Sequence, residues 1–131
     1  MSLVVLDTHA WLWWEAAPDR LSRPASASIE QADRIAVCTI SCWEVAMLQA
    51  HGRIALDRPI GRWIQLALAH ERVEPLELTA QGALEAALLP RAGFPGDPVD
   101  RFIYCSARLA GGKLVTRDER LRSFDPALTI W

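Results

Sequence analysis

Residues 3–6 form a run of apolar side chains that ends at Asp7. A continuously apolar strand is buried on both faces, which is typical of inner strands in a parallel sheet covered by helices. Asp7 then stands at the carboxyl end of this strand, the edge at which open α/β sheets form their ligand sites. The start of the chain therefore predicts an α/β fold with a functional edge at Asp7.

A second acidic residue is predicted to reach the same edge. Residues 35–38 form another apolar run, and a helix is expected over residues 42–51, with Glu44 in its first turn. A helix that follows a parallel strand begins at the edge where the strand ends. Glu44 is therefore expected to lie close to Asp7.

Two more acids follow from the last third of the chain. Residues 113–116 predict a short strand, and Asp118 lies just beyond its end. The helix predicted over residues 98–110 must run antiparallel to that strand, so its first turn, which carries Asp100, falls on the same edge. Four carboxylates are therefore expected to face one crevice.

The rest of the chain alternates helices and strands without an internal repeat or a linker, which predicts one domain over residues 1–131. Residues 73–78 read as a strand weakened by Pro75, because proline cannot donate a hydrogen bond to a neighbouring strand. Further helices are expected at residues 8–16, 60–71 and 80–89, and a small one ends near Ala32.

Charge and composition narrow the functional classes. The net charge of -2 argues against general affinity for nucleic acids, but residues 101–122 are rich in basic side chains. Within that stretch Arg101, Arg117 and Arg120 are predicted to contact a phosphate backbone. No apolar segment approaches the ~20 residues that span a bilayer, so a cytoplasmic protein is expected. The three cysteines are interpreted as buried thiols rather than as a zinc site.

Each acid also has a structural alternative. Ser41 and Glu44 fit a capping box, and Asp97 fits the N-cap of the helix that begins with Pro98. Asp118 can cap a short turn, and Asp7 can simply end a strand. Capping does not exclude metal binding, because a helix N-terminus helps to keep a carboxylate ionised.

Several carboxylates in one crevice raise one another's pKa values and cost stability unless a cation neutralises them, so the arrangement predicts a bound divalent ion. Oxygen ligands favour Mg²⁺ or Mn²⁺. His9 lies close to Asp7 in sequence, but a packing or surface role is favoured for it.

Four segments together resemble the PIN-domain ribonucleases, and among them the VapC-type toxins of bacterial toxin–antitoxin modules. They are residues 6–10 (LDTHA), 41–46 (SCWEVA), 97–102 (DPVDRF) and 115–118 (VTRD). Each segment alone is weak evidence for the family, whereas the four segments in this order and at this spacing are specific for it. The chain departs from the commonest pattern before Asp97, where Phe94, Pro95 and Gly96 replace a more polar lead-in, and at Val99.

The resemblance implies a PIN-like α/β/α sandwich of three layers with a central, mainly parallel sheet. It implies metal binding and catalysis by Asp7, Glu44, Asp100 and Asp118, with Asp97 as an additional acid. Thr116 would lie near the metal and Arg101 beside the site. Thr8 and Ser41, inside the matching segments, are predicted to support the acids.

The implied reaction is hydrolysis of RNA by a metal-activated water, which leaves a 5′ phosphate. The implied partners are an RNA substrate, a VapB-like antitoxin and a second copy of the chain. The spacing of Trp11 and Trp14 raises the hypothesis of an exposed apolar groove for a partner.

Two alternatives remain at this point. A PIN scaffold can bind RNA without cutting it. A phosphoacceptor receiver domain also places acids and Mg²⁺ at strand ends, but it requires neighbouring acids after the first strand and a lysine near the last. Here Thr8 and His9 follow Asp7, and Lys113 is the sole lysine.

Overall fold

A central parallel sheet organises the molecule, as seen in a computed structural model that describes residues 2–131. Its strands are β1 (Leu3–Leu6), β2 (Arg34–Cys38), β3 (Val73–Leu76), β4 (Lys113–Val115) and β5 (Thr129–Ile130). They lie in the order β3-β2-β1-β4-β5, and each neighbouring pair is parallel. The predicted α/β fold with a mainly parallel sheet is therefore confirmed.

Helices connect the strands. They are α1 (Thr8–Ala16), α2 (Arg23–Gln31), α3 (Thr39–Ala50), α4 (Ile60–Leu68), α5 (Ala80–Leu88), α6 (Pro98–Ala110) and α7 (Glu119–Phe124). Short 3-10 turns follow α1 at Pro18–Arg20 and α5 at Leu89–Ala92. No helix within residues 2–131 has the length and apolar character needed to cross a membrane.

The first strand shows how the layers form. β1 is buried between β2 and β4, and its side chains alternate between the faces of the sheet. Val4 and Leu6 pack into a core that includes residues of α1, α2 and α4, whereas Val5 packs into a core built with α5, α6 and α7. Helices therefore cover both faces, as the predicted three-layer sandwich requires.

Several element boundaries differ from the sequence-based prediction. β3 ends at Leu76 rather than at residue 78. It lies at an edge of the sheet, where a proline is tolerated although Pro75 has no N–H to donate. α7 and β5 were not predicted as elements. Both are short, and β5 is defined mainly by its pairing with β4.

Candidate functional site

An open crevice of about 610 Å³ lies at the carboxyl edge of the sheet, beyond the ends of β1 and β4. This volume falls within the range of ~300–1,000 Å³ that is usual for ligand sites. All of the acids that the sequence singled out line this crevice, namely Asp7, Glu44, Asp97, Asp100 and Asp118. Acids from four separate parts of the chain thus meet in one place.

Asp7 follows β1 directly and forms the N-cap of α1. Its Oδ1 accepts a hydrogen bond of 2.8 Å from the backbone N–H of Ala10, and its own N–H donates to the carbonyl of Val115 at 3.1 Å. Burial raises the pKa of the Asp7 carboxyl, although hydrogen bonds with the Thr116 side chain and the Ala10 N–H oppose this shift. The ionised form therefore gains from a nearby cation.

Glu44 lies in the second turn of α3, so its predicted place in the first turn is wrong. The helix begins at Thr39, with Cys38 as an N-cap that makes no side-chain hydrogen bond, and the predicted capping box with Ser41 is therefore absent. Ser41 is buried, and its Oγ accepts a hydrogen bond of 2.9 Å from the Thr8 hydroxyl. This bond joins the first turn of α1 to the helix that carries Glu44.

Asp97 caps α6 in the predicted way. Its Oδ1 accepts a hydrogen bond of 2.9 Å from the N–H of Val99, and Pro98 takes the first helical position. The other carboxylate oxygen of Asp97 accepts no hydrogen bond from residues 2–131, and the residue lines the crevice. Capping therefore leaves half of this carboxylate free.

Asp100 stands in the first turn of α6, and its carboxylate accepts no hydrogen bond from the described part of the chain. The pKa of Asp100 is raised to about 7, and burial is the largest cause. Repulsion by the other acids of the crevice adds to the shift, in the order Asp118, Asp97, Glu44 and Asp7. The other carboxylates are therefore close enough to oppose the ionisation of Asp100.

Asp118 follows β4 and caps α7. Its Oδ1 accepts hydrogen bonds from the N–H groups of Arg120 at 2.8 Å and Leu121 at 3.4 Å. Thr116 is fully buried, and its hydroxyl accepts a hydrogen bond of 3.1 Å from the N–H of Asp118. Thr116 thus contacts the backbone of one acid and the side chain of Asp7.

The chemistry of these donors fits a hard divalent cation, because every candidate ligand is a carboxylate oxygen. Within residues 2–131, no three acidic, histidine or cysteine side chains stand close enough together to chelate one ion directly. Mg²⁺ is commonly bound through only one or two carboxylates and keeps several of its waters. The observed spacing is therefore compatible with an ion that some acids contact through water.

Two of the arginines predicted to contact RNA stand near the crevice. Arg117 lines it, and its guanidinium lies over the Trp13 ring, 5.8 Å from the ring centroid. Arg120 is exposed, with its Nε 3.9 Å from Oδ1 of Asp118. The side chains of both arginines reach solvent.

Arg101 is placed differently. Its Nε donates to the carbonyl of Gly96 at 2.9 Å, and its Nη1 donates to the carbonyl of Ala86 at 3.1 Å. These bonds attach the loop before α6 to the end of α5. Arg101 does not line the crevice. Its geometry therefore favours a role in holding this loop rather than the predicted role of contacting RNA.

Sequence reasoning missed several features of the crevice. His9, Trp13 and Glu119 line it, and the spacing of His9 and Trp13 along α1 after Asp7 was the available signal. The hypothesis of an exposed groove formed by Trp11 and Trp14 is wrong, because Trp11 is fully buried against Trp63.

Comparison with known proteins agrees with the fold. The chain matches the PIN domain family over residues 4–126. It is 44% identical over 133 aligned positions to "Ribonuclease VapC22" of Mycobacterium tuberculosis, with all of both sequences covered.

Solved structures share the same architecture. VapBC-1 from nontypeable Haemophilus influenzae aligns with a TM-score of 0.65 and 21% identity, covering 97% of this chain and 95% of that one. VapBC2 from Rickettsia felis, bound to a DNA fragment from its promoter, aligns with a TM-score of 0.62 and 14% identity over 97% and 96%. At such identities the likeness concerns the fold. The extent of the family match and the full-length relative show that this chain belongs to the PIN domain family and, within it, to the VapC-type proteins.

Proposed function

We propose that this protein is a metal-dependent endoribonuclease toxin that hydrolyses RNA phosphodiesters and is held inactive by a cognate antitoxin in the cytoplasm. The observation that carries the proposal is the crevice in which five acids meet and the pKa of Asp100 is raised to about 7. The relative from M. tuberculosis is named a ribonuclease, and the structural neighbours include toxin–antitoxin complexes. Both support the proposal.

Asp7, Glu44 and Asp100 are the acids we assign to holding Mg²⁺ or Mn²⁺, one or two of them by direct contact and the rest through water. Asp118 is assigned to contact through water, and Asp97 to orienting the start of α6. When bound, such an ion would polarise the phosphate, lower the pKa of the attacking water and stabilise the leaving 3′ oxygen, so that the P–O3′ bond breaks and the products carry a 5′ phosphate and a 3′ hydroxyl.

The chain itself prepares this site. Asp7, Asp97 and Asp118 each use Oδ1 as a helix cap and leave the other oxygen without an N–H partner in residues 2–131. The partial positive charge at the start of each helix attracts the carboxylate that caps it. One oxygen of each cap is thereby fixed by the backbone while the second remains available to a cation or its waters.

The test is cleavage of total RNA by the purified protein with Mg²⁺ or Mn²⁺, followed by mapping of the product ends. Wild type should give discrete fragments with 5′ phosphates, and both Asp7→Asn and Glu44→Gln should give none. Glu71→Gln serves as the matched control, because Glu71 is exposed and outside the crevice. Equal cleavage by wild type and both crevice variants would refute a nuclease centred on these acids. Binding without cleavage by wild type would favour an RNA-binding scaffold.

The proposed antitoxin has a suitable surface beside the crevice. An apolar groove lined by Trp43, Met47, Leu48 and Val99 shares Glu44 and Asp97 with the crevice wall. Trp43 is 54% exposed, which is unusual for so large an apolar side chain. A peptide seated there would reach the acids.

Co-expression with the proposed antitoxin tests this surface. Trp43→Ala should weaken copurification of the antitoxin while leaving RNA cleavage by the isolated toxin intact. Leu66→Ala is the control, since Leu66 is another exposed apolar side chain outside this groove. Loss of copurification in both variants would argue against a specific role for the groove.

A homodimer completes the proposal. Leu84 and Leu88 lie one turn apart on α5 and are 55% and 47% exposed, and Leu109 on the adjoining α6 is 44% exposed. We assign this surface to the partner copy. Leu88→Glu should convert a dimer to a monomer in light scattering, and an unchanged mass would refute the assignment.

A further inference from the structure

A cluster of aromatic and basic side chains stands at the rim of the crevice, outside the set of acids. Its centre is Trp13 of α1, which is half-buried and lines the crevice. The guanidinium carbons of Arg20 and Arg117 lie over this ring, 5.2 Å and 5.8 Å from its centroid. Both distances fall within the ~6 Å limit for a cation–π contact.

Other rings fix the position of Trp13. The His9 ring packs against it at 5.7 Å between centroids, and the Trp131 ring does so at 5.8 Å. Trp13 is therefore held by neighbours on α1 and by a residue beyond β5. The two arginines come from unrelated places, a 3-10 turn after α1 and the loop after β4. Two positive groups from distant parts of the chain thus converge on one indole.

Apart from their contacts with Trp13, these arginines have no charged or hydrogen-bonding partner in the described part of the chain. Both side chains belong to exposed residues, and neither guanidinium forms an ion pair or a hydrogen bond with residues 2–131. By contrast, Arg101 and Arg72 donate to backbone carbonyls, and Arg34, Arg58 and Arg108 pair with acids. Arg20 and Arg117 therefore keep their hydrogen-bond donors free, although acids lie nearby.

We propose that Trp13, Arg20 and Arg117 form a phosphate-binding subsite in which the indole holds the two guanidinium groups ready for the RNA phosphate next to the one that is cleaved. The identity of this ligand rests on the proposed function. Arginine suits the task because a guanidinium can lie flat on an aromatic face while its edge donates hydrogen bonds to phosphate oxygens. Trp13 is a positioning residue in this arrangement.

The charges of the crevice explain why RNA binding would need such a subsite. The acidic crevice repels a phosphate backbone, and a bound cation offsets that repulsion only at the reacting phosphate. The phosphate next to the reacting one therefore needs a separate positive contact. The free guanidinium groups at the rim supply two such charges within the reach of one strand.

The test is binding of a short single-stranded RNA by fluorescence anisotropy between ~50 and ~300 mM KCl, with Asp7→Asn as the parent so that the RNA stays intact. For single strands, each phosphate that a protein neutralises contributes about 0.7 to the slope of log affinity against log salt. The double variant Arg20→Ala/Arg117→Ala should reduce the slope by about this amount, and each single substitution should reduce it in part and weaken binding about tenfold.

Substitutions of Trp13 test its positioning role separately from the charge of the two arginines. Trp13→Ala retains both arginines and should still reduce the salt slope, whereas Trp13→Phe keeps an aromatic face and should restore it. Arg62→Ala is the matched control, because Arg62 is exposed on α4 and bonds only to Gln65 among residues 2–131. Thermal melting of each variant confirms that it is folded.

Unchanged slopes in Arg20→Ala and Arg117→Ala would overturn the subsite, and so would equal slopes for Trp13→Ala and Trp13→Phe. Failure of the proposed function looks different. It would appear as an absence of RNA cleavage by wild type, whatever these slopes are. If wild type cleaves RNA and the slopes do not move, the nuclease stands and the subsite fails.

Discussion

Two groups of acids share the crevice, and they are held in different ways. Asp7, Asp97 and Asp118 are helix caps whose Oδ1 atoms accept backbone N–H groups. Glu44 and Asp100 project from within helices, and their carboxylates accept no hydrogen bond from residues 2–131. The caps have a structural role before any cation arrives, whereas the free pair has none. Helix capping can therefore fix the positions of ligands, while the unbonded acids supply the charge that a cation must neutralise.

The largest effect is expected at Asp7, because this residue caps α1 and is also assigned to holding the metal ion. Asp7→Asn keeps an oxygen that can cap α1 but removes the charge, so RNA cleavage should fall by a factor of about 10³ or more while the fold persists. Asp7→Ala should lose the same activity and also about 1 kcal/mol of stability. Single-turnover cleavage and urea unfolding measure the two effects. Equal stability in both variants would contradict the capping role.

Asp100 should make stability depend on pH. Its pKa is raised from 3.8 to about 7, so between these values the folded protein keeps a proton that the unfolded chain has released. Stability of the metal-free protein should therefore fall as pH rises through this window. Asp100→Asn should flatten that part of the melting-temperature profile.

A cation should reverse this loss. Mn²⁺ should raise the melting temperature more at about pH 8 than at about pH 5, because the proton competes with the ion below the pKa of Asp100. The gain should shrink in Asp100→Asn and remain in Glu71→Gln. An equal gain at both pH values would break the assignment of Asp100 as a free acid that meets the metal.

The loop before α6 determines the position of the free acid Asp100. Gly96 is the residue of this loop that is expected to be most sensitive to substitution. A Cβ on Gly96 would overlap the ring of Phe94, which is itself buried. Gly96→Ala should therefore cost about 1–3 kcal/mol of stability and lower activity through Asp100. Gly61→Ala is the matched control, since a Cβ there meets nothing within 4 Å. Equal unfolding free energies for the two variants would show that the ring moves aside.

The smallest effect is expected at Asp118. Asp118→Ala should cost about 1 kcal/mol, because α7 loses its cap, while Asp118→Asn should cost less. Both should reduce cleavage less than Asp7→Asn, in keeping with contact to the ion through water. A loss as large as that of Asp7→Asn would place Asp118 in direct contact with the metal. Urea unfolding and cleavage rates separate these outcomes.

Much of this arrangement follows from the sequence. The apolar runs of β1 and β2 and the capping motif at Asp97 are local signals, so the strands, the start of α6 and the edge that carries the acids could be predicted. α3 begins earlier than predicted. Its start carried no sequence signal, because the N-cap residue Cys38 makes no side-chain hydrogen bond of the kind that a capping motif indicates. The start of that helix depends on the end of β2 rather than on a local motif.

Long-range contacts account for the remaining differences. Arg101 reads as a basic residue beside the site, but its guanidinium binds carbonyls of Ala86 and Gly96 that only the fold brings near. Arg20 gave no signal at all, since its contact with Trp13 depends on the turn after α1. β5 exists through its bonds to β4, such as that from the Thr116 N–H to the carbonyl of Ile130.

The central place of β1 bears on the time course of synthesis. β1 leaves the ribosome before its partners, yet it is flanked by β2 on one side and by β4 on the other. Asp7 donates its N–H to Val115, so this first acid reaches its final position only after β4 has been made. A nascent chain therefore carries the earliest piece of its crevice for most of translation without a working site. Under the proposed function, the nuclease site is therefore complete only after nearly the whole domain has left the ribosome.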